Sequence, residues 1–193
     1  MPKPSHREKL LTEGRRVVHE RGFSSASVRD IVHAAGVPQG SFTNHFASKE
    51  AFGLEVLNLY FAGSQDLVRE TLRNDSRPPL KRLRAWLDAT DKALNQNNHW
   101  NGCMIGNFGI EAGPDIKSIQ RRIAEIFKEA EQNISYCLKA AVKAGDLPRK
   151  TNCDQLAGFI YGTLHGAVLQ SKAERSAAPM KRFKRILFST ILR

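Results

Sequence analysis

No stretch of these 193 residues reaches the roughly 18 uninterrupted apolar residues that mark a membrane-spanning helix. The opening Met-Pro-Lys-Pro-Ser-His-Arg has no apolar run behind its basic residues, so neither export nor insertion is expected. Cysteine is scarce: Cys103, Cys137 and Cys153 stand far apart without metal-ligand spacing, and an odd count offers no disulfide framework. A reducing cytoplasm is the expected setting, with no metal and no cofactor. Acidic residues are in the minority, 19 against 30 Lys and Arg, which gives a formal charge of +11 and favours a polyanionic partner. Residues 1–60 nevertheless hold 8 basic and 6 acidic residues, so +9 of that charge lies beyond them. Basicity alone therefore does not locate a binding site.

Alternating strand patterns are missing too, and what is present reads as helix nearly throughout. Ser5 and Glu8 have the spacing of a capping box, followed by Leu10, Leu11, Gly14, Val17 and Val18 on one face, with Gly22 as the stop. A second box, Ser27 with Asp30, opens a helix at Val28 whose inward face carries Ile31, Val32 and Ala35. Gly36 supplies the left-handed residue that ends it, and Val37 plugs the corner. Pro38 suits the first turn of a following helix, which Phe42 and Phe46 give an apolar stripe.

Gln39, Gly40, Ser41, Thr43, Asn44 and His45 are small or hydrogen-bonding and are expected to face outward. Such a surface suits a helix lying in the DNA major groove, close to base edges and phosphates. Ser27 and Arg29, at the start of the preceding helix, join the DNA-facing set. Ser48 caps the next helix, and Lys49 in its first turn is a candidate to neutralise a phosphate. The alternative for the same pattern is an ordinary helical hairpin with solvated polar residues.

The order Ala35, Gly36, Val37, Gly40, Ser41, Phe42, Phe46, Ser48, Lys49 and Glu50 resembles the signature of the TetR family of bacterial transcriptional repressors. Thr43 stands where that family usually carries a tyrosine touching phosphate, and Pro38 where a Ser or Thr cap is common. The resemblance implies an all-α chain: a three-helix helix-turn-helix DNA-binding domain over residues 1–47, joined to a larger helical ligand-binding and dimerisation domain over residues 48–193. It further implies a homodimer on a roughly palindromic double-stranded operator, with half-sites about 34 to 36 Å apart, and a small-molecule inducer that weakens operator binding by differential affinity for two states. Activation in place of repression stays open, because its sign depends on operator position.

In the second domain, the helix from Ser48 is expected to run toward Leu72, with turn formers at Asn74-Asp-Ser-Arg-Pro-Pro. Another follows over Leu80 to Leu94, then a polar break at Asn95-Gln-Asn-Asn-His, and one long amphipathic helix from Pro114 to Ala144. Asn152 with Gln155 caps a helix through about Ser171, along which Gly158, Gly162 and Gly166 recur every four residues. A glycine stripe lets another helix approach closely. Phe183, Ile186, Leu187 and Ile191 give the last helix an apolar face. Both helices either fill the chain's own core or form a dimer surface, and the resemblance favours the latter as a four-helix bundle.

The sensor candidate is Asn101-Gly-Cys-Met-Ile-Gly-Asn-Phe-Gly-Ile-Glu-Ala-Gly-Pro, with Gly113 as its helix stop. Asn101 is read as the cap of a short helix on which Cys103, Asn107 and Glu111 share one face while Met104 and Phe108 share the next. Its Gly-Cys start is similar to a TetR subgroup that responds to reactive electrophiles or small unsaturated compounds. Cys103 is then a thiolate target, a wall of a noncovalent pocket, or a buried small hydrophobe. Trp86, Trp100, Phe127, Tyr161 and His165 are further pocket candidates, though large aromatics on helical faces are more often core than ligand contacts. Cys103 with His99 or His165 could be imagined as nucleophile and base. No phosphate loop, paired-acid site or metal motif accompanies them, so an enzyme is not expected; a small-molecule binding or scaffolding protein with a vestigial helix-turn-helix is the other rival.

Overall fold

A computed structural model describes residues 4–94, 101–113 and 115–193. His99, Trp100 and the rest of the polar break at 95–100 lie outside the described residues, as does Pro114. The elements among the described residues are helical: α1 (His6–Arg21), α2 (Val28–Ala35), α3 (Ser41–His45), α4 (Lys49–Glu70), α5 (Pro79–Leu94), α6 (Met104–Glu111), α7 (Lys117–Ala144), α8 (Cys153–Glu174) and α9 (Ala178–Ile186), which widens into a π-helical turn at Leu187–Ile191. No helix among them is long and apolar enough to cross a membrane.

The chain packs as two units, Met1–Ala62 with Met104–Ala124, and Gly63–Cys103 with Glu125–Arg193. A boundary after Ala47 therefore does not follow the packing. The first half of α4 supplies the aromatic centre of the first unit, so it cannot be separated from the three helices before it.

In that first unit the local signals act as expected. Both capping boxes form, Ser5 with Glu8 and Ser27 with Asp30. Gly36 ends α2 at φ 60°, ψ 40°, while the Val37 and Gly36 amides donate to the carbonyls of Val32 and His33, the reciprocal pairing of a Schellman cap. Ser48 Oγ accepts from the Ala51 amide at 3.0 Å and so caps α4. Leu10, Ile31, Phe42, Phe52 and Val56 are all buried in this unit, Phe52 fully. The Phe52 ring lies 5.3 Å from Phe42 and 5.0 Å from Phe46, within the range where tilted and edge-on aromatic pairs attract.

Gly14 makes this packing possible. A Cβ there would stand 2.4 Å from Phe52 Cζ and 2.8 Å from Ile31 Cγ2, closer than atoms can approach. Gly14→Ala is accordingly expected to destabilise the unit by about 1 to 3 kcal/mol through overpacking, despite alanine's better helix propensity. A denaturant midpoint equal to or above wild type would contradict this contact.

The second unit has its own core, with Leu83, Leu87, Ile134, Leu138, Ile160, Leu164 and Phe183 among its buried residues. Its polar groups are paired where the chain turns. Arg82, buried, donates through Nε to the Arg77 carbonyl at 2.7 Å and pairs with Asp75, to which the Tyr136 hydroxyl also donates at 2.7 Å. Lys184 binds Asp88 and Asp91 at 2.8 and 2.7 Å, fastening α9 to α5. The Asn152 side chain accepts from the Gln155 amide and opens α8, which extends three residues past Ser171 to Glu174. The long helix α7 begins at Lys117, past the turn at Ile116–Gly113.

Candidate DNA interface and sensor residues

The short helix α3 is held from behind. His6 Nδ1 lies 3.2 Å from Ser41 Oγ. Arg7 sits 5.6 Å from the Phe46 ring centroid and pairs with Glu55. Ser41 is only 7% exposed, which corrects its reading as an outward DNA contact. The reason is rotational: Ser41 precedes Phe42 on a helix of five residues, so the turn that buries Phe42 also presses Ser41 against the start of α1. The helix begins later than its proline suggests, since Pro38 to Gly40 form a turn in which the Pro38 carbonyl accepts from the Ser41 amide at 2.9 Å.

Gln39, Gly40, Thr43, Asn44 and His45 are exposed, together with Ser27 and Arg29 at the start of α2. They form a polar surface on the outside of the α2–α3 pair. Two hydroxyls in it are already engaged: Thr43 Oγ1 donates to the Gly40 carbonyl at 3.1 Å, and Ser27 Oγ donates to Asp30 at 2.5 Å. Those Ser27 hydrogen bonds hold the Asp30 carboxyl below the ordinary carboxylate range, with Arg21 contributing less.

Lys49 is placed differently from its reading as a phosphate contact. Its ammonium donates to the Ser24 carbonyl at 3.1 Å and lies 4.9 Å from the Phe23 ring centroid. Burial lowers its pKa, and the attraction of Glu111 only partly offsets this. The lysine is thus committed to the α1–α2 corner, because Gly53 one turn later leaves room for Phe23; a Cβ at 53 would stand 2.5 Å from that ring.

The residues from 101 to 111 do not form one site. Cys103 precedes α6 rather than occupying its first turn, since Gly102 turns the chain at φ 75°. It packs at the edge of the second unit's core. Met104 and Phe108 are buried in the first unit, where Phe108 stacks on Phe23 with centroids 4.8 Å apart. Asn107 is half-buried. Glu111 accepts from the Ser24 amide at 2.9 Å, so this carboxylate serves the corner and not a pocket wall. A four-residue spacing put them on one helix stripe; it could not show that the stripe is divided between two bodies.

Within the second unit, Phe127, Tyr161 and His165 do come together. Centroids lie 5.5 Å apart for Phe127–Tyr161, 5.1 Å for Phe127–His165 and 4.7 Å for Tyr161–His165. Burial lowers the His165 pKa, so the ring is neutral near pH 7. Burial also raises the Tyr161 phenol, with smaller contributions from the charges of Cys103 and Glu131. Glu131 was not singled out in the sequence; its only signal was an acid on the inner flank of α7. The other two thiols are buried, and burial pushes Cys137 up to about 11. Trp86 belongs to the hydrophobic core.

On α8, Gly162 and Gly166 are exposed, and a Cβ at either would meet nothing within 4 Å. Phe159 and Leu169 flank them, each 52% exposed, and Ile186 on α9 is 45% exposed. Phe183 and Leu187, read as interface residues, are buried in their own chain's core: α9 turns one side inward and Lys181, Arg182, Arg185 and Ile186 outward, while Lys184 is held against α5.

A family model for bacterial regulatory proteins of the tetR family matches residues 10–56, and one for the Tetracyclin repressor-like C-terminal domain matches residues 79–187. The chain belongs to the TetR family of transcriptional regulators. Among its relatives is the HTH-type transcriptional repressor DhaR of Mycobacterium sp. (strain GP1), 36% identical over 96% of this chain and 92% of that one. Of solved structures, a regulatory protein TetR from Rhodobacter sphaeroides superposes with a TM-score of 0.85 at 28% identity, covering 92% and 94% of the two chains. The reduced form of E. coli NemR does so with a TM-score of 0.80 at 26% identity, covering 92% of each. This TetR-family chain is thus a helix-turn-helix DNA-binding regulator of the repressor type, and its matched N-terminal segment contains the whole α2–α3 pair.

Proposed function

We propose that this TetR-family chain is a homodimeric, cytoplasmic repressor that leaves a palindromic operator when a small molecule or electrophile reaches its second unit. The observation that carries the sensing part is the cluster of the Phe127, Tyr161 and His165 rings in the unit whose core edge also carries the half-buried Cys103. A neutral imidazole packed edge-on against a protonated phenol, in the same unit as a half-buried thiol, suits small polar or electrophilic compounds. That E. coli NemR, similar in fold, is known in a reduced form supports a thiol reading by analogy. Covalent capture at Cys103 is the principal form of this proposal, and noncovalent binding beside the same rings is the second.

The dimer rests on the open glycine face of α8 with Phe159, Leu169 and Ile186. A single exposed α3 offers few base contacts, and a two-fold pair doubles them. Reading of DNA is assigned to Gln39, Gly40, Thr43, Asn44 and His45, with Ser27 and Arg29 beside them.

Cys103→Ser tests the sensor. With N-ethylmaleimide as thiol-alkylating probe and an operator duplex selected from random-sequence DNA, the wild type is expected to lose operator affinity at least tenfold. The variant is expected to keep it within about twofold, because serine is not alkylated under the same conditions. An identical dose response in both proteins removes Cys103 as the target.

A further inference from the structure

The α1–α2 corner is held in a way that its sequence does not announce. Gly22 ends α1 at φ 88°, and the space where a side chain would stand is filled by a carboxylate: a Cβ there would lie 2.6 and 2.9 Å from the two Glu111 oxygens. Glu111 accepts from the Ser24 amide at 2.9 Å, and the Ser24 hydroxyl donates back to the Glu111 carbonyl at 3.4 Å. The Ser24 carbonyl in turn accepts from Lys49 at 3.1 Å. Both backbone groups of one loop residue are therefore held, the amide by the end of α6 and the carbonyl by the start of α4. Phe23, next in the loop, is clamped between the Phe108 ring and the Lys49 ammonium.

We propose that Glu111 is a positioning residue for operator binding, its carboxylate fixing the Ser24 corner and thereby the entry of α2. Three residues past Ser24 the loop becomes the cap of α2, so the angle at which the α2–α3 pair leaves α1 is set at this corner. An amide that loses a charged acceptor becomes free to turn. A shift of α6 that withdraws the Glu111 carboxylate loosens the DNA-reading pair without touching it. Cys103 immediately precedes α6 in the chain, so a modification there has a covalent route to this carboxylate; that last step rests on the sensor reading above, whereas the latch itself does not.

The test uses the full chain with no inducer. Glu111→Ala is expected to lower affinity for the selected operator about tenfold, equivalent to about 1.4 kcal/mol, and to speed amide exchange at Ser24. The slope of log affinity against log salt is expected to stay constant, because Glu111 touches no phosphate, whereas loss of a phosphate contact lowers that slope by about one. Glu111→Gln, which keeps a carbonyl acceptor for the Ser24 amide, is expected to recover most of the affinity. Unchanged affinity in Glu111→Ala despite faster exchange at Ser24 overturns the proposal, since the contact is then merely structural. Unchanged exchange overturns it as well, because the amide does not then depend on the carboxylate. If Cys103→Ser still releases DNA with N-ethylmaleimide while Glu111→Ala binds weakly, the sensor reading falls and the latch stands.

Discussion

Replacing Thr43, Asn44 and His45 together by alanine is expected to weaken binding to the selected operator by two orders of magnitude or more while leaving fold and dimer intact. Each well-formed contact to a base edge discriminates by about 1 to 3 kcal/mol, and a symmetric pair loses each contact twice. The three side chains are exposed on α3, whereas the residues that hold this helix, Phe42 and Phe46, are buried on its other side. Alanine is a good helix former, so removing the polar tips leaves the support unchanged. Ser41 is deliberately excluded, since it contacts His6 inside the unit and its loss would mix folding with recognition. Fluorescence anisotropy at one fixed salt concentration provides the comparison, with light scattering as the check on assembly. Retention of wild-type affinity would place the reading surface elsewhere on the chain.

The second large effect is expected at Gly162. Space beside it is open within the single chain, so leucine there does not disturb its own protomer, and the gain in helix propensity over glycine, about 0.8 kcal/mol, favours the isolated helix. At a close helix contact between two copies the same side chain is an obstruction. Overpacking costs about 1 to 3 kcal/mol per site, and a two-fold axis applies it twice, which raises the dimer dissociation constant by roughly one and a half to four orders of magnitude. Sedimentation velocity on Gly162→Leu is expected to show monomer with a thermal transition near that of wild type. Operator affinity falls with it, because a lone head keeps half the base contacts. A stable dimer at micromolar concentration would sink the assignment of this face.

These two expectations differ in how far the sequence alone could have framed them. The helix-turn-helix was legible because its determinants are local. Capping boxes at Ser27 and Ser5, a left-handed glycine at 36 and the Phe42–Phe46 spacing act within a few residues of themselves. Periodicity also fixes which residues share a face. It does not fix which body that face meets. Phe183 and Leu187 share an apolar stripe with Ile186, yet two are buried in the core and one is exposed. Ser41 lies among polar residues in sequence, but a helix of five residues cannot present all of them to one side.

The sensor segment marks the same limit most clearly. Cys103, Asn107 and Glu111 are spaced for one helical face, but Cys103 packs with the second unit and Glu111 with the first. Lys49 and Glu111, one read as a phosphate contact and the other as a pocket acid, are both spent on the backbone of Ser24.

The amino-acid sequence by itself determined the helical elements, the DNA-reading pair and the family, since capping, glycine conformation and three-and-four spacing depend on neighbours a turn or two away. Tertiary structure alone decided which ionisable side chains remain available. A charged group's partner is chosen by proximity after folding, and a separation of 87 residues between Ser24 and Glu111 leaves no trace in local pattern.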